Sequence, residues 1–197
     1  RARHYTLGLE RQGEPWLKVD GYVKRYDRYI AETDAEVGPA PARAIVSGRA
    51  AGVDAIARWT GTERWDGWIS YSLLRGRLEL ADGTTASSEY DVTHSLTTVG
   101  RVNHGPWQLG VTARAATGAP HTAILGSTAA DGGPRHPVYG EPNGDRLPDY
   151  FRLDARLTRF IPFRSGYLVT YVEMLNLTNR ANTSAVFRAS SSIGSLL

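Results

Sequence analysis

The chain has 197 residues, 41% of them apolar, with 23 basic against 20 acidic side chains and no cysteine. No window approaches the ~20 consecutive apolar residues of a membrane helix, which excludes a helical membrane protein, and the lack of cysteine removes disulfides and thiolate zinc sites. The net charge of +3 is spread without a basic tract and gives no support for a nucleic-acid partner. A mean hydropathy of -0.35 does not separate a soluble β protein from a membrane β-barrel, because only alternate residues of a barrel strand face lipid.

Alternation of apolar and polar residues predicts strands over 4–11, 16–26, 48–59, 65–75, 93–102, 107–117, 150–160 and 167–176, with helix nearly absent. Strand side chains alternate with period two, so each segment acquires an apolar face and a polar one. In the second, Leu17, Val19, Gly21 and Val23 oppose Lys18, Asp20, Tyr22 and Lys24; in the fourth, Ile69, Tyr71 and Leu73 oppose Ser70 and Ser72. The sixth sets Trp107, Leu109, Val111, Ala113 and Ala115 against Gln108, Thr112 and Arg114. The seventh sets Phe151, Leu153, Ala155 and Leu157 against Arg152, Asp154, Arg156 and Thr158.

The connections alternate in length. Gln12 to Pro15, Thr60 to Arg64, Asn103 to Pro106 and Ile161 to Gly166 read as tight turns, whereas Asp27 to Val46, Gly76 to Asp91 and Gly118 to Asp149 read as long loops. Interleaved short and long connections belong to an up-and-down membrane barrel, with short periplasmic turns and long outer loops. Aromatics beside the short turns, namely Trp16, Trp59, Trp65, Trp107, Phe160 and Tyr167, would form one interfacial girdle. Periodicity alone also admits a soluble or surface β-sandwich that buries the apolar faces in a core and binds a partner without transport.

Three stretches carry a family resemblance. Gly48 to Arg77 holds Gly52, Asp54, Gly67, Trp68, Tyr71 and Ser72; the second stretch holds Tyr90, Asp91, His94, Trp107, Thr117, Gly118 and Pro120. The third holds Tyr139, Gly140, Asn143, Arg146, Pro148, Tyr150, Arg152 and Asp154, followed by VEMLNLTNRAN. In this order and spacing they resemble the C-terminal barrel of TonB-dependent outer-membrane receptors. The resemblance implies an all-β, antiparallel up-and-down transmembrane barrel, of which residues 1–197 would be about eight strands out of 22, with the plug domain and final strand absent. The start on Arg1, without Met or leader, fits a fragment whose signal peptide lies elsewhere.

The same resemblance implies active import of a scarce nutrient (a siderophore chelate, vitamin, carbohydrate or peptide) across the outer membrane. Its partners would be outer-membrane lipid, the nutrient ligand, and TonB with its energising inner-membrane complex acting through the plug. Lys18, Asp20, Lys24, Asp54, Arg101, Arg114, Arg152, Asp154 and Arg156 would then face the lumen and plug, as ion pairs more than as substrate contacts. Arg28, Tyr29, His121, Arg135, His136, Tyr139 and Arg146, on the long loops, are the candidate ligand contacts. No cofactor is implied: the five histidines lack metal-ligand spacing, and Glu141, Asn143 and Asp145 lack the spacing of a calcium loop. No nucleophile elbow, phosphate loop or dinucleotide fingerprint occurs, so no enzyme is expected.

Overall fold

The computed structural model describes residues 1–32, 43–60, 62–129 and 135–183, the side chains of 28–32, 43–46, 129, 135 and 136 excepted. Wherever the sequence alternates, the backbone is extended. The strands are β1 (Ala2–Arg11), β2 (Trp16–Glu32), β3 (Arg43–Trp59), β4 (Trp65–Glu79), β5 (Thr85–Ser87), β6 (His94–His104) and β7 (Trp107–Ala116), then β8 (Pro120–His121), β9 (Ile124–Ala129), β10 (Arg135–Tyr139), β11 (Asp145–Arg146), β12 (Tyr150–Phe163) and β13 (Gly166–Met174). No helix occurs among the described residues. The eight long strands form one antiparallel sheet in the order β1-β2-β3-β4-β6-β7-β12-β13, each pairing with its neighbour along the chain, with β5 added on β4. β9 with β10 and β8 with β11 make two small ribbons off this sheet. β1 and β13 are its two open edges, as the segments near Tyr5 and Tyr171 predict.

The register decides which side chains share a face, because directly opposed residues point the same way. One row across the sheet runs Leu9, Val19, Ala55, Tyr71, Leu96, Ala115 and Phe151. The row beside it, on the other face, includes Gly8, Asp20, Asp54, Ser72 and Ser95. Along the middle of the strands one face is thus apolar and the other polar. The apolar face is uncovered: Leu7 is 80% exposed, Leu9 77% and Val172 72%, and Ala86 is the one buried hydrophobic residue among those described. Among the described residues the sheet therefore has no hydrophobic core of its own, and its apolar stripe is exposed.

The connections sort to opposite ends of the sheet. At one end Gly105 and Pro106 close a hairpin between His104 and Trp107, and Arg164 and Ser165 close another between Phe163 and Gly166. The short turns are laced side by side. Thr60 donates to Glu14 through its hydroxyl (2.8 Å) and amide (3.1 Å), the Asn103 amide to the Arg64 carbonyl (2.7 Å), and the Phe160 amide to the Pro106 carbonyl (2.8 Å).

Several expected boundaries move at the other end. The described part of the Asp27 to Val46 loop is strand: β2 runs to Glu32 and β3 starts at Arg43, with a register shift between Tyr26 and Tyr29, so Arg28 and Tyr29 lie in a strand. Residues 33–42 lie outside the described set. The Gly76 to Asp91 loop loses its first part to β4 and contains β5, and the Gly118 to Asp149 loop contains β8 to β11. At the short-turn end, Ile161 to Gly166 shrinks to a two-residue turn, because β12 continues to Phe163. In each case ladder hydrogen bonds extend a strand beyond the point where its alternation fades, since backbone pairing does not require the side-chain pattern.

The aromatic girdle is half as expected. Trp59, Trp65 and Trp107 share the apolar face, where Trp59 and Trp65 pack with ring centres 6.3 Å apart and Arg159 lies 5.1 Å from the Trp107 ring. Trp16, Phe160 and Tyr167 have the opposite parity and fall on the polar face, because each sits an odd number of positions from its strand's apolar series. Trp16 accordingly donates from Nε1 to Glu10 Oε1 at 2.9 Å.

Beyond β4, Asp82 closes a tight turn by accepting from the Thr84 hydroxyl (2.6 Å) and amide (2.9 Å). These bonds, the hydroxyl first, hold its carboxyl below the ordinary value of 3.8. The folded value is depressed, so this contribution to stability is complete above the ordinary value and is lost as pH falls through the lowered one. A carboxyl-carbon NMR titration of the full-length protein should place the Asp82 midpoint below 3.8, with Thr84→Val moving it part of the way back. An unshifted midpoint would dissolve the turn as drawn.

Candidate functional site

The polar face carries all nine residues expected in the lumen. Lys18, Asp20 and Lys24 on β2, Asp54 on β3, Arg101 on β6, Arg114 on β7, and Arg152, Asp154 and Arg156 on β12 have one parity throughout the register. Most are engaged with each other or with polar neighbours. Lys18 pairs with Asp20 at 2.9 Å and Arg152 with Asp154 at 2.7 Å, both two residues apart on one strand. Arg101 pairs at 2.7 Å with Asp66, directly opposite on β4, and Asp54 accepts from the Ser72 hydroxyl at 2.5 Å. Arg156 lies 3.7 Å from the centre of the Tyr171 ring and Lys24 5.2 Å from that of Tyr22. An acid or a π face beside a cation holds it within the field of the sheet. The surface is a charge-interleaved wall with few free ions.

The residues that carry the resemblance touch one another. Tyr71 Oη and His94 Nδ1 lie 2.7 Å apart, and the His94 amide donates to Thr117 Oγ1 at 3.0 Å. Asp154 Oδ1 accepts from the Asn176 amide at 2.8 Å, and the Asn182 side chain makes two bonds to the Phe151 backbone, donating at 2.8 Å and accepting at 3.0 Å. Asn176 and Asn179 take left-handed φ values of 53° and 49°, as a strand-to-loop transition requires. Gly52 opposes Tyr22, and a Cβ there would lie 2.4 Å from the Leu73 carbonyl oxygen and 2.5 Å from the Tyr22 hydroxyl. Glycine is what lets the tyrosine lie across the strand.

At the long-connection end an ion pair between buried Asp91 and exposed Arg146 joins two loops. Asp91 is 1% exposed; its Oδ1 accepts from Thr93 at 3.0 Å and its Oδ2 lies 3.6 Å from Arg146 Nη2. Arg146 Nη1 donates to the carbonyls of Asp91 (2.7 Å) and Gly118 (3.0 Å). Asn143 ties the same loops, donating from Nδ2 to the Ser87 carbonyl at 2.8 Å and from its amide to Thr122 Oγ1 at 3.1 Å. A Cβ at Gly118 would fall 1.6 Å from the Leu147 carbonyl oxygen, so the two arms of this loop meet only around glycine.

The candidate ligand contacts divide. Arg146 spends its guanidinium on the Asp91 node, and His121 sits in β8 opposite Asp145 with its Nδ1 buried and no hydrogen-bond partner among the described residues. Tyr139 ends β10 opposite Ile124 and is half-buried. Arg28 and Tyr29 lie in β2, and Arg135 and His136 begin β10; the side chains of all four lie outside the described set. Sequence reasoning missed Asp66, Tyr22 and Tyr171 as partners on the polar face. Their strand parity was available; which residue of the neighbouring strand stands opposite was not. No protein-family model, curated protein or solved structure matches this chain.

Proposed function

We propose that the chain is part of the barrel wall of a TonB-dependent receptor, which imports a nutrient across the outer membrane with energy delivered through a plug. One observation carries this reading. A single meandering sheet gathers Lys18, Asp20, Lys24, Asp54, Arg101, Arg114, Arg152, Asp154 and Arg156 on one face and leaves an apolar band uncovered along the middle of the other, with short and long connections at opposite ends. A ten-residue strand such as β7 rises ~33 Å, and tilted by ~40° it spans the ~25 Å apolar band of an outer-membrane barrel. A water-facing sheet would not leave so broad an apolar stripe bare. In the full receptor of 22 strands, β1 and β13 would pair with neighbours supplied by the rest of the chain, and the polar face would line a plugged lumen. The short turns would then lie in the periplasm and β5 with β8 to β11 outside. Neither cofactor nor catalytic group enters this reading.

The β9–β10 ribbon offers a direct test, because its base is closed by the Gly140 amide donating to the Ala123 carbonyl at 2.8 Å. Excising 124–139 joins residues already side by side and touches no strand of the main sheet. In cells making the full-length receptor, the excised form should reach the outer membrane as a heat-modifiable barrel. Its uptake of labelled ferric chelate, cobalamin or oligosaccharide, whichever the intact receptor imports, should fall at least severalfold. Uptake by the intact receptor should stop when the proton gradient is collapsed. A full-length protein that purifies without detergent as a compact monomer would instead favour the sandwich.

A further inference from the structure

We infer that the outward face carries a binding site for the phosphate-bearing headgroups of lipids in the leaflet at the long-connection end; this rests on the barrel reading above. Arg3, Arg25, Arg49 and Arg77 stand directly opposite one another on β1, β2, β3 and β4, and their parity is that of the apolar face. Arg75 joins them one row nearer mid-sheet, opposite Ala51. Like charges placed directly across neighbouring strands destabilise a sheet. A row of four therefore calls for a neutralising anion.

The protein supplies little of that anion. None of these arginines forms an ion pair among the described residues, and Arg77 Nη1 donates to the Ser87 hydroxyl at 3.3 Å. Among the residues whose side chains are described, Asp27 and Glu79 share a recess with Arg25, Arg49 and Arg77, and Glu79 accepts from the Ser47 hydroxyl at 2.9 Å, so two carboxylates stand against five arginines. Arg25, Arg49, Arg75 and Arg77 also surround a second recess of about 310 Å³ over Val23 and Ala51, which no described acid lines. Guanidinium groups beside an apolar floor match an amphiphile whose phosphate they clamp bidentately and whose chain continues down the apolar band. The depth also fits. Charged side chains on a lipid-facing strand are stable at the headgroup level and costly at mid-bilayer.

The test uses the full-length receptor in phosphatidylcholine vesicles with and without phosphatidic acid, the unfolding midpoint reporting binding as the acidic lipid is titrated. Phosphatidic acid should raise the midpoint of the unaltered protein. The combined variant Arg25→Gln, Arg49→Gln, Arg75→Gln should insert and unfold normally in phosphatidylcholine alone, yet bind the acidic lipid roughly a hundredfold more weakly. Equal affinity in the two proteins would overturn the lipid site and leave the barrel reading standing. Equal protection by dissolved inorganic phosphate would overturn the assignment to a lipid. Failure of the unaltered protein to insert in either vesicle would remove the barrel and the site together.

Discussion

Replacing Val111 by arginine should cost the full-length protein about 2–4 kcal/mol of folding free energy in lipid vesicles, whereas arginine at the adjacent Thr112 should cost close to nothing. Val111 lies midway along β7 on the apolar face, opposite Gly100 and Ala155. Thr112 opposes Val99 and Asp154 on the charged wall, where a guanidinium meets water and a carboxylate. The two positions share a strand and a depth, so propensity and strand geometry cancel in the comparison. Reversible urea unfolding measures both. If the order reverses, or if the two variants lose stability equally, the apolar face is not the lipid-facing one.

Arg146→Ala should loosen the loops at the long-connection end by about 2 kcal/mol, less than removing one partner of a fully buried pair costs because the guanidinium is 37% exposed. The Asp91 carboxylate would remain buried with Thr93 as its hydrogen-bond donor, and two carbonyls would lose theirs. Hydrogen exchange at Leu147, whose amide donates to the Ala119 carbonyl at 3.0 Å, should accelerate by roughly thirtyfold, the same free energy expressed as a population of the open form. Exchange at Leu109 and Val111, inside the main sheet, should not change. Unaltered exchange at Leu147 would mean that Gly118 and Asn143 hold the loop without the ion pair.

Much of the architecture was legible because period-two alternation is a local signal. Lys18, Asp20 and Lys24 read as one face of a strand from their spacing, and eight segments taken this way give the eight strands of the main sheet in order. Polar stretches with no period hid β5 and β8 to β11, whose pairing depends on partners rather than on pattern. Arg28 and Tyr29 were read as loop for the same reason: the bulge between Tyr26 and Tyr29 breaks the alternation while the ladder continues. The arginine row was invisible in the sequence, since Arg3, Arg25, Arg49 and Arg77 become neighbours only once the register is fixed. Arg146 was expected at a ligand because it is basic and in a loop. That its partner, Asp91, is 1% exposed depends on tertiary packing no local pattern encodes.

The nearest-neighbour order of the sheet has a consequence for how such a wall is made. Every main-sheet pairing joins strands consecutive along the main path, and four of them are closed by turns of about two to five residues. Contacts of this kind demand little loop closure, so each hairpin can form before its neighbours and add to the growing sheet as a unit. Entry into lipid sets the opposite demand, because an unpaired backbone amide has no water to turn to there. In the barrel proposed above, local pairing would make the hairpins quick to form, whereas the open edges at β1 and β13 would have to find partners before the wall could settle in lipid.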